Sequence, residues 1–284
     1  MKSFNPSIKI KNICALTFAL LTLTLTMPAT MARTDSGILD PLDKTALKEG
    51  TVDGASLIER MHQRATALRN YSFNYKMKVF KKNGSVLESG SFYFKKPNYI
   101  RLEEKGPYKK GAVAIIGPNT DGRVKAHLGG GLKLFVVDLS PDSGLLKSAN
   151  GHPMVQSDFL SLAECLKDYE QKGMTTVATA APVRVKGVGK SVYILDIKSG
   201  KTDKQLWKRI AVDPRSYVPV QWWDYNQNGN LHSHAQWQDF LADRSLPDQL
   251  FTIKHGSSAK KQLLEMQNSN DTVSKNKDNK TNKS

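Results

Sequence analysis

From Tyr71 onward, apolar residues recur at every second position, and this alternation constrains the fold more than any other feature of the chain. Tyr71, Phe73, Tyr75, Met77 and Val79 alternate with polar residues. Successive side chains of a strand point to opposite faces, so the pattern predicts a half-buried strand with one apolar face. A helix would scatter these residues around its circumference, because its side chains repeat about every 3.6 residues. The chain is therefore expected to build a sheet.

Short turns and further alternating runs continue this pattern. The strand candidates are Ser85–Lys95, Tyr99–Glu104, Ala112–Ile116, Arg123–Leu128, Pro182–Lys186, Ser191–Lys198, Leu206–Asp213, Val218–Tyr225 and Leu231–Phe240. Consecutive strands joined by short turns, such as Lys82-Asn83-Gly84, pair as antiparallel hairpins. Helical spacing predicts helices at Ala55–Leu68 and Ser157–Lys172. A long antiparallel sheet with two separate helices is an α+β fold.

The first 32 residues have the layout of a cleaved secretory signal peptide. Lys2, Lys9 and Lys11 precede an apolar run, and small residues lead up to a cleavage site after Ala32. A retained membrane anchor is disfavoured, because the run has about 15 residues and a spanning helix needs about 20. We therefore predict export to the periplasm.

The composition divides the chain into four segments. Residues 1–32 are the signal peptide, and residues 33–50 are expected to be a flexible leader. Residues 51–256 form the folded domain, and residues 257–284 are a Lys/Asn-rich tail predicted to be disordered. One cysteine, Cys165, remains after cleavage, and its helical setting predicts a buried structural thiol.

The net charge of +16 favours an anionic partner. The sequence has no nucleic-acid-binding module and carries an export signal, so we predict no nucleic-acid partner. An anionic membrane surface or a lipid head group fits better, and Lys109 and Lys110 are candidates to meet such a head group. A basic surface that serves only solubility is the open alternative.

Motifs for catalysis are missing from the sequence. Gly200-Lys201-Thr202 resembles the end of a phosphate-binding loop, but Leu195 occupies the position of the required glycine. His232 and His234 share one face of a strand, yet two ligands do not complete a zinc site. We predict a non-enzymatic protein without a cofactor or metal. A hydrolase or metal enzyme that uses these histidines with His127 and His152 is a weaker hypothesis.

The segment Gly90–Leu102 resembles the bacterial lipoprotein-carrier superfamily, the LolA/LolB-like proteins. In those proteins a strand ends in a basic residue and a proline, as at Lys96-Pro97, and an aromatic residue and an arginine follow, as at Tyr99 and Arg101. Within that superfamily, Gly117–Gly130 is similar to a segment of an exported domain family of uncharacterised function. The resemblance covers roughly residues 55–240. It implies an incompletely closed, antiparallel β-barrel wrapped over helices, with an apolar cavity for acyl chains.

The predicted function is binding or transfer of a hydrophobic ligand, either a lipid or the acyl chains of a lipidated protein. The candidate ligand-binding residues are Phe73, Tyr75, Phe92, Phe94, Tyr99, Arg101, Trp222 and Trp237. The resemblance further implies that Arg101 holds the covering helices to the barrel. The alternative is an envelope sensor or protein-interaction module that uses the same fold. No oligomeric state is predicted.

Overall fold

The computed structural model of the chain describes residues 38–43, 47, 50–130, 135–199, 205–253, 261 and 265. The predicted signal peptide, Gly200-Lys201-Thr202 and all of the predicted tail except Lys261 and Glu265 lie outside the described residues. Within them, no helix is both long enough and apolar enough to cross a membrane.

An antiparallel sheet of 13 strands dominates the part of the chain that the structure describes. The strands are β1 (Thr51–Asp53), β2 (Asn70–Lys81), β3 (Gly84–Lys95), β4 (Tyr99–Glu104), β5 (Val113–Ile116), β6 (Val124–His127), β7 (Val136–Leu139), β8 (Thr175–Thr179), β9 (Val183–Arg184), β10 (Ser191–Ser199), β11 (Gln205–Val212), β12 (Pro219–Tyr225) and β13 (Leu231–Ala242). Their order is β1-β8-β10-β11-β12-β13-β2-β3-β4-β5-β6-β7, and β9 pairs with β10. No described strand joins β1 to β7, so the barrel stays open, as predicted.

Helices α1 (Ala55–Ala67) and α2 (Phe159–Gln171) pack against one face of the sheet, which we call the inner face. Helix α1 buries Leu57, Ile58 and Met61 against this face. Helix α2 begins after Asp158, whose carboxylate accepts hydrogen bonds from the backbone N–H groups of Leu160 and Ser161. The predicted α+β half-barrel over helices is therefore confirmed.

Three strands were missed by the sequence prediction: β1, β7 and β8. Each has five residues or fewer, which is too short for a period of two to stand out in the sequence. In β8, threonine stands at three of five positions, so the two faces of the strand cannot be told apart from composition. The candidate strand Pro182–Lys186 contracts to two residues, Val183 and Arg184.

Two chain segments cover parts of the opposite, outer face. Leu39 and Leu47, from the segment predicted to be a flexible leader, pack on apolar residues of β10 to β12, including Trp223. Residues 246–251 pack their apolar side chains on Tyr93 and Ile115 of β3 and β5. Both faces of the sheet therefore bury apolar surface, and this contributes to a stable fold without a disulfide.

Candidate functional site

A cavity of about 420 Å³ lies on the inner face of the sheet, next to helix α2 and to residues 145–157. Its walls are mainly apolar and include Phe73, Phe92, Leu102, Trp222 and Trp237. The volume falls within the roughly 300–1,000 Å³ of pockets that bind small molecules. Such a cavity is suited to hold an apolar chain away from water.

The register of the strands explains why a space remains there. One row across the inner face runs from Phe73 to Phe92, Leu102, Ala114 and Ala126. Side chains become smaller along this row, so the helices that fill the core beside the phenylalanines do not close the space beside the alanines. The cavity is thus a consequence of side-chain size along one row of paired residues.

Gly90 makes a second contribution to this space. It pairs with Tyr75 on one side and with Glu104 on the other. A Cβ atom at this position would lie 2.0 Å from the Glu103 carbonyl oxygen and 2.8 Å from Tyr75 Oη. Because glycine has no side chain, the Tyr75 ring can lie across the strand at this point.

Five of the predicted ligand-binding residues line the cavity: Phe73, Tyr75, Phe92, Trp222 and Trp237. Phe94 is not among the lining residues. It is buried in the core beneath α2, where its ring centroid lies 5.0 Å from that of Tyr71.

Tyr99 and Arg101 are also absent from the cavity lining, because the alternation of β4 directs both to the outer face. Tyr99 packs on Phe251, with ring centroids 5.7 Å apart. Arg101 is 2% exposed and donates hydrogen bonds to the carbonyl oxygens of Leu250 and Thr252, at 3.1 and 3.2 Å. The implied role of Arg101 in holding the helices therefore needs correction. Arg101 holds the C-terminal segment on the outer face.

Two buried carboxyl groups mark one end of the cavity. Glu88 on β3 and Glu104 on β4 both line it, and they interact with each other. Burial and the neighbouring Glu88 carboxylate raise the pKa of Glu104 to about 8. Burial also raises the pKa of Glu88. The pair therefore holds a proton at neutral pH.

Sequence analysis missed this acid pair. Glu103 and Glu104 are neighbours in the sequence, but they face opposite sides of the strand, as alternation requires. Glu103 pairs with Arg101 on the outer face, at 2.7 Å, whereas Glu104 faces inward. The partner of Glu104 comes from β3, and only the register of β3 against β4 brings Glu88 near it.

An ion pair between Lys208 and Asp224 also lines the cavity. Burial alone would raise the pKa of Asp224, but the Lys208 ammonium and hydrogen bonds from Ser233 and Trp222 hold it below its usual value. The Lys208 ammonium lies 5.5 Å from the centroid of the Trp222 ring. Lys208 and Asp224 neutralise each other, so this part of the wall contains charged groups but carries no net charge.

The histidines and the cysteine are dispersed. His127 and His152 line the cavity, and burial lowers the pKa of His152. His234 lies on the outer face, stacked on Trp223 with ring centroids 4.9 Å apart. Among the described residues, no group of three or more His, Cys, Asp or Glu side chains is arranged to hold a metal. Cys165 is half-buried and lines the cavity, so it is less enclosed than predicted.

No protein-family model matches the chain, and no curated protein sequence matches it. Solved structures do show likeness. A DUF1329 family protein from Desulfovibrio piger is 14% identical over 70% of this chain and 96% of its own, with a TM-score of 0.37. A LolA superfamily protein from Nitrosomonas europaea is 11% identical over 71% and 98%, with a TM-score of 0.32.

The MucA/MucB complex of Pseudomonas aeruginosa contains a further chain that this protein resembles. That chain is 14% identical, the match covers 71% of this chain and 61% of that one, and the TM-score is 0.43. The structural neighbours of this protein thus include a LolA superfamily protein and a DUF1329 family protein.

Proposed function

We propose that this protein binds or transfers a hydrophobic ligand, a lipid or the acyl chain of a lipidated protein, and catalyses no reaction. The apolar cavity of about 420 Å³ on the inner face carries this proposal. Each methylene removed from water contributes about 0.8 kcal/mol. About ten buried methylenes would thus supply roughly 8 kcal/mol toward the cost of holding a ligand in one place.

The segment of residues 143–150 is the proposed gate of this cavity. Leu146 of this segment is buried in the core, and polar contacts join the segment to β3 and to the turn after β4. The Lys109 ammonium donates to the carbonyl oxygens of Leu145 and Lys147, and the Ala149 N–H donates to the Glu88 carboxylate at 2.6 Å. Since Leu145 and Leu146 belong to the cavity lining, movement of this segment would open a path for a chain to enter or leave.

An exported, periplasmic location is part of the proposal, and it depends on the predicted signal peptide. In that compartment the predicted signal peptide, with its three lysines, would be gone, and the remaining chain of net charge +13 would be attracted to anionic membrane surfaces, where lipids and lipidated proteins are found. The same charge would bring the cavity close to its source of ligand.

Binding of the neutral dye Nile red, whose fluorescence rises in apolar surroundings, tests the proposal. Ala235 lines the cavity and pairs with Met77 and Trp222 on the inner face, so Ala235→Trp would place an indole ring in the space. Gln238 is exposed and lies at an outward-facing position of the same strand, so Gln238→Trp is the matched control. Circular dichroism and melting temperature establish that each variant is folded.

We expect saturable binding to the wild type and to Gln238→Trp, and a loss of at least about tenfold in affinity for Ala235→Trp. Equal binding to both tryptophan variants would contradict the assignment of the cavity. A wild type that binds no dye, and that carries no lipid in native mass spectrometry after purification from the periplasm, would contradict the proposal. The protein-interaction module would then be the working hypothesis.

A further inference from the structure

Three strands bring polar side chains to one end of the cavity. Tyr75 of β2, Gly90 of β3 and Glu104 of β4 lie in one row, and Glu88 precedes Gly90 by two residues on the same face. Glu88, Glu104 and Tyr75 all line the cavity. A ligand whose chain lies along the apolar wall can therefore present its head group to these three residues.

The acceptors at this end exceed the donors. Glu88 is 3% exposed and Glu104 is 6% exposed. The Oε2 atom of Glu104 and the Oη atom of Tyr75 are buried and lie close enough to influence each other, but neither makes a hydrogen bond of ordinary geometry with any described residue. Buried polar atoms are normally well paired, so two such atoms on a cavity wall mark a place where a ligand could supply donors.

A lysine faces this pair, and two of its three ammonium donors are engaged elsewhere. Lys109, in the turn after β4, lies near both carboxyl groups. Its ammonium donates to the carbonyl oxygens of Leu145 and Lys147, at 2.8 and 2.6 Å. Two carboxyl groups thus face one lysine. When both carboxyl groups are ionised, a carboxylate ligand would add a third negative charge, whereas an ammonium ligand would balance the second.

We propose that this end of the cavity selects an amphiphile with a protonated primary amine over a carboxylate of the same chain length. The ammonium would donate hydrogen bonds to Glu104 Oε2 and Tyr75 Oη, with Glu88 beside them. This inference rests on the proposed function, because it needs the cavity to hold the alkyl chain. It differs from the sequence-based expectation that lysines here meet an anionic head group.

The affinity for the amine should depend on pH. The groups that face Glu104 are Tyr75 from β2, Glu88 from β3 and Lys109 from the turn after β4. Burial and Glu88 raise the pKa of Glu104 to about 8, so at pH 6 the pair retains a proton that an ammonium must displace. Affinity for the amine should therefore rise from pH 6 to pH 9, where Glu104 is ionised and an alkylammonium is still largely protonated.

Displacement of Nile red by three twelve-carbon amphiphiles tests this selectivity. Dodecylammonium and dodecanoate are used below their critical micelle concentrations, and dodecanol is used below its solubility limit. At pH 8, we expect dodecylammonium to displace Nile red at about a tenfold lower concentration than dodecanoate does. Charge-assisted hydrogen bonds should supply this difference in affinity. The net charge of +16 would by itself favour the carboxylate. A preference for the amine must therefore come from the cavity.

Glu104→Gln should reduce this preference to less than about threefold, because the amide cannot carry the charge. Dodecanol should bind that variant as it binds the wild type. Glu164→Gln is the matched control, since Glu164 is an exposed residue of α2, and it should keep the full preference. If Glu104→Gln does not fold, Tyr75→Phe replaces it, and we expect this variant to weaken amine binding without weakening dodecanol binding.

The possible failures can be told apart. If dodecanol displaces the dye but dodecanoate binds as tightly as dodecylammonium, the head-group assignment is overturned and the proposed function stands. The head-group assignment is also overturned if Glu104→Gln folds and keeps the full preference. If Nile red does not bind, or none of the three amphiphiles displaces it, the proposed function itself fails.

Discussion

Arg209 and Asp196 form an ion pair on the outer face that water does not reach, and both side chains are 0% exposed. The guanidinium donates two hydrogen bonds to the carboxylate, each 2.8 Å long. It also donates to the carbonyl oxygens of Pro41 and Asp43, at 3.0 and 2.6 Å. The arginine thus neutralises a buried charge and ties the N-terminal segment to the sheet.

Replacing this arginine alone should destabilise the protein severely. In Arg209→Met, the Asp196 carboxylate stays in an apolar cluster without its cation, and such a change costs about 3–5 kcal/mol of the free energy of unfolding. Two unit charges about 4 Å apart interact by about 4 kcal/mol at an effective dielectric constant of 20, which agrees with that range. The double variant Asp196→Leu/Arg209→Met removes both charges, so it should lose only about 1–2 kcal/mol, from the arginine bonds to the N-terminal segment.

Urea unfolding, followed by tryptophan fluorescence and repeated at pH 8 and pH 5, measures these losses. Burial raises the pKa of Asp196 even though Arg209 lowers it, so removing Arg209 should raise it further. A carboxyl whose pKa is higher in the folded than in the unfolded protein destabilises the fold above its folded pKa. That penalty fades as the pH falls toward the unfolded pKa. The difference in free energy of unfolding between Arg209→Met and the double variant should therefore be smaller at pH 5 than at pH 8.

Two results would refute this reasoning. One is an Arg209→Met variant within about 1 kcal/mol of the wild type, since a buried carboxylate without its cation should cost more than that. The other is a gap between single and double variants that is the same at both pH values, because an ionised Asp196 is the stated cause of the loss.

Three further predictions concern the helix, the glycine and the cavity. Asp158→Ala removes the carboxylate that caps the first turn of α2 at Leu160 and Ser161, and should lower the free energy of unfolding in urea by about 1 kcal/mol. Asp158→Asn keeps an oxygen acceptor there and should retain most of that stability. Gly90→Ala forces a methyl group onto the Glu103 carbonyl and should cost at least about 2 kcal/mol; an unchanged melting temperature would contradict this. Dodecanol should bind about 15-fold more tightly than decanol in the dye displacement assay, since two methylenes contribute about 1.6 kcal/mol, and equal affinities would argue against an alkyl chain in the cavity.

Local pattern in the sequence predicted most of the secondary structure. The alternation from Tyr71 to Val79 lies in β2, and the helical spacing from Ala55 to Leu68 agrees with α1. The same alternation places Glu103 and Glu104 on opposite faces of β4. These features are predictable because the directions of successive side chains follow from the covalent geometry of one strand or helix. Short strands such as β8 lack enough residues to show a period.

Pairing between strands decided the candidate site. Strand β13 lies beside β2, which brings Trp237 opposite Tyr75, and β3 lies beside β4, which brings Glu88 near Glu104. The register of β13 against β2 depends on packing between residues far apart in the sequence, and the register of β3 against β4 depends on the turn that joins them, so alternation within one strand contains neither. Five of the predicted aromatic residues line the cavity because alternation within their own strands directs their side chains to the inner face. Which of these side chains become neighbours depends on how the strands pair in the sheet.

The sequence by itself determined which residues form strands and helices and which strand faces are apolar. Only the tertiary structure decided which apolar face encloses a cavity and which face is covered by other segments of the chain. Arg101 illustrates the difference, since alternation directs it away from Ile100 and Leu102, but only the packing of residues 246–251 makes its side chain buried. The physical reason is that side-chain direction is set within a few residues. Burial instead requires a partner surface that the rest of the chain supplies.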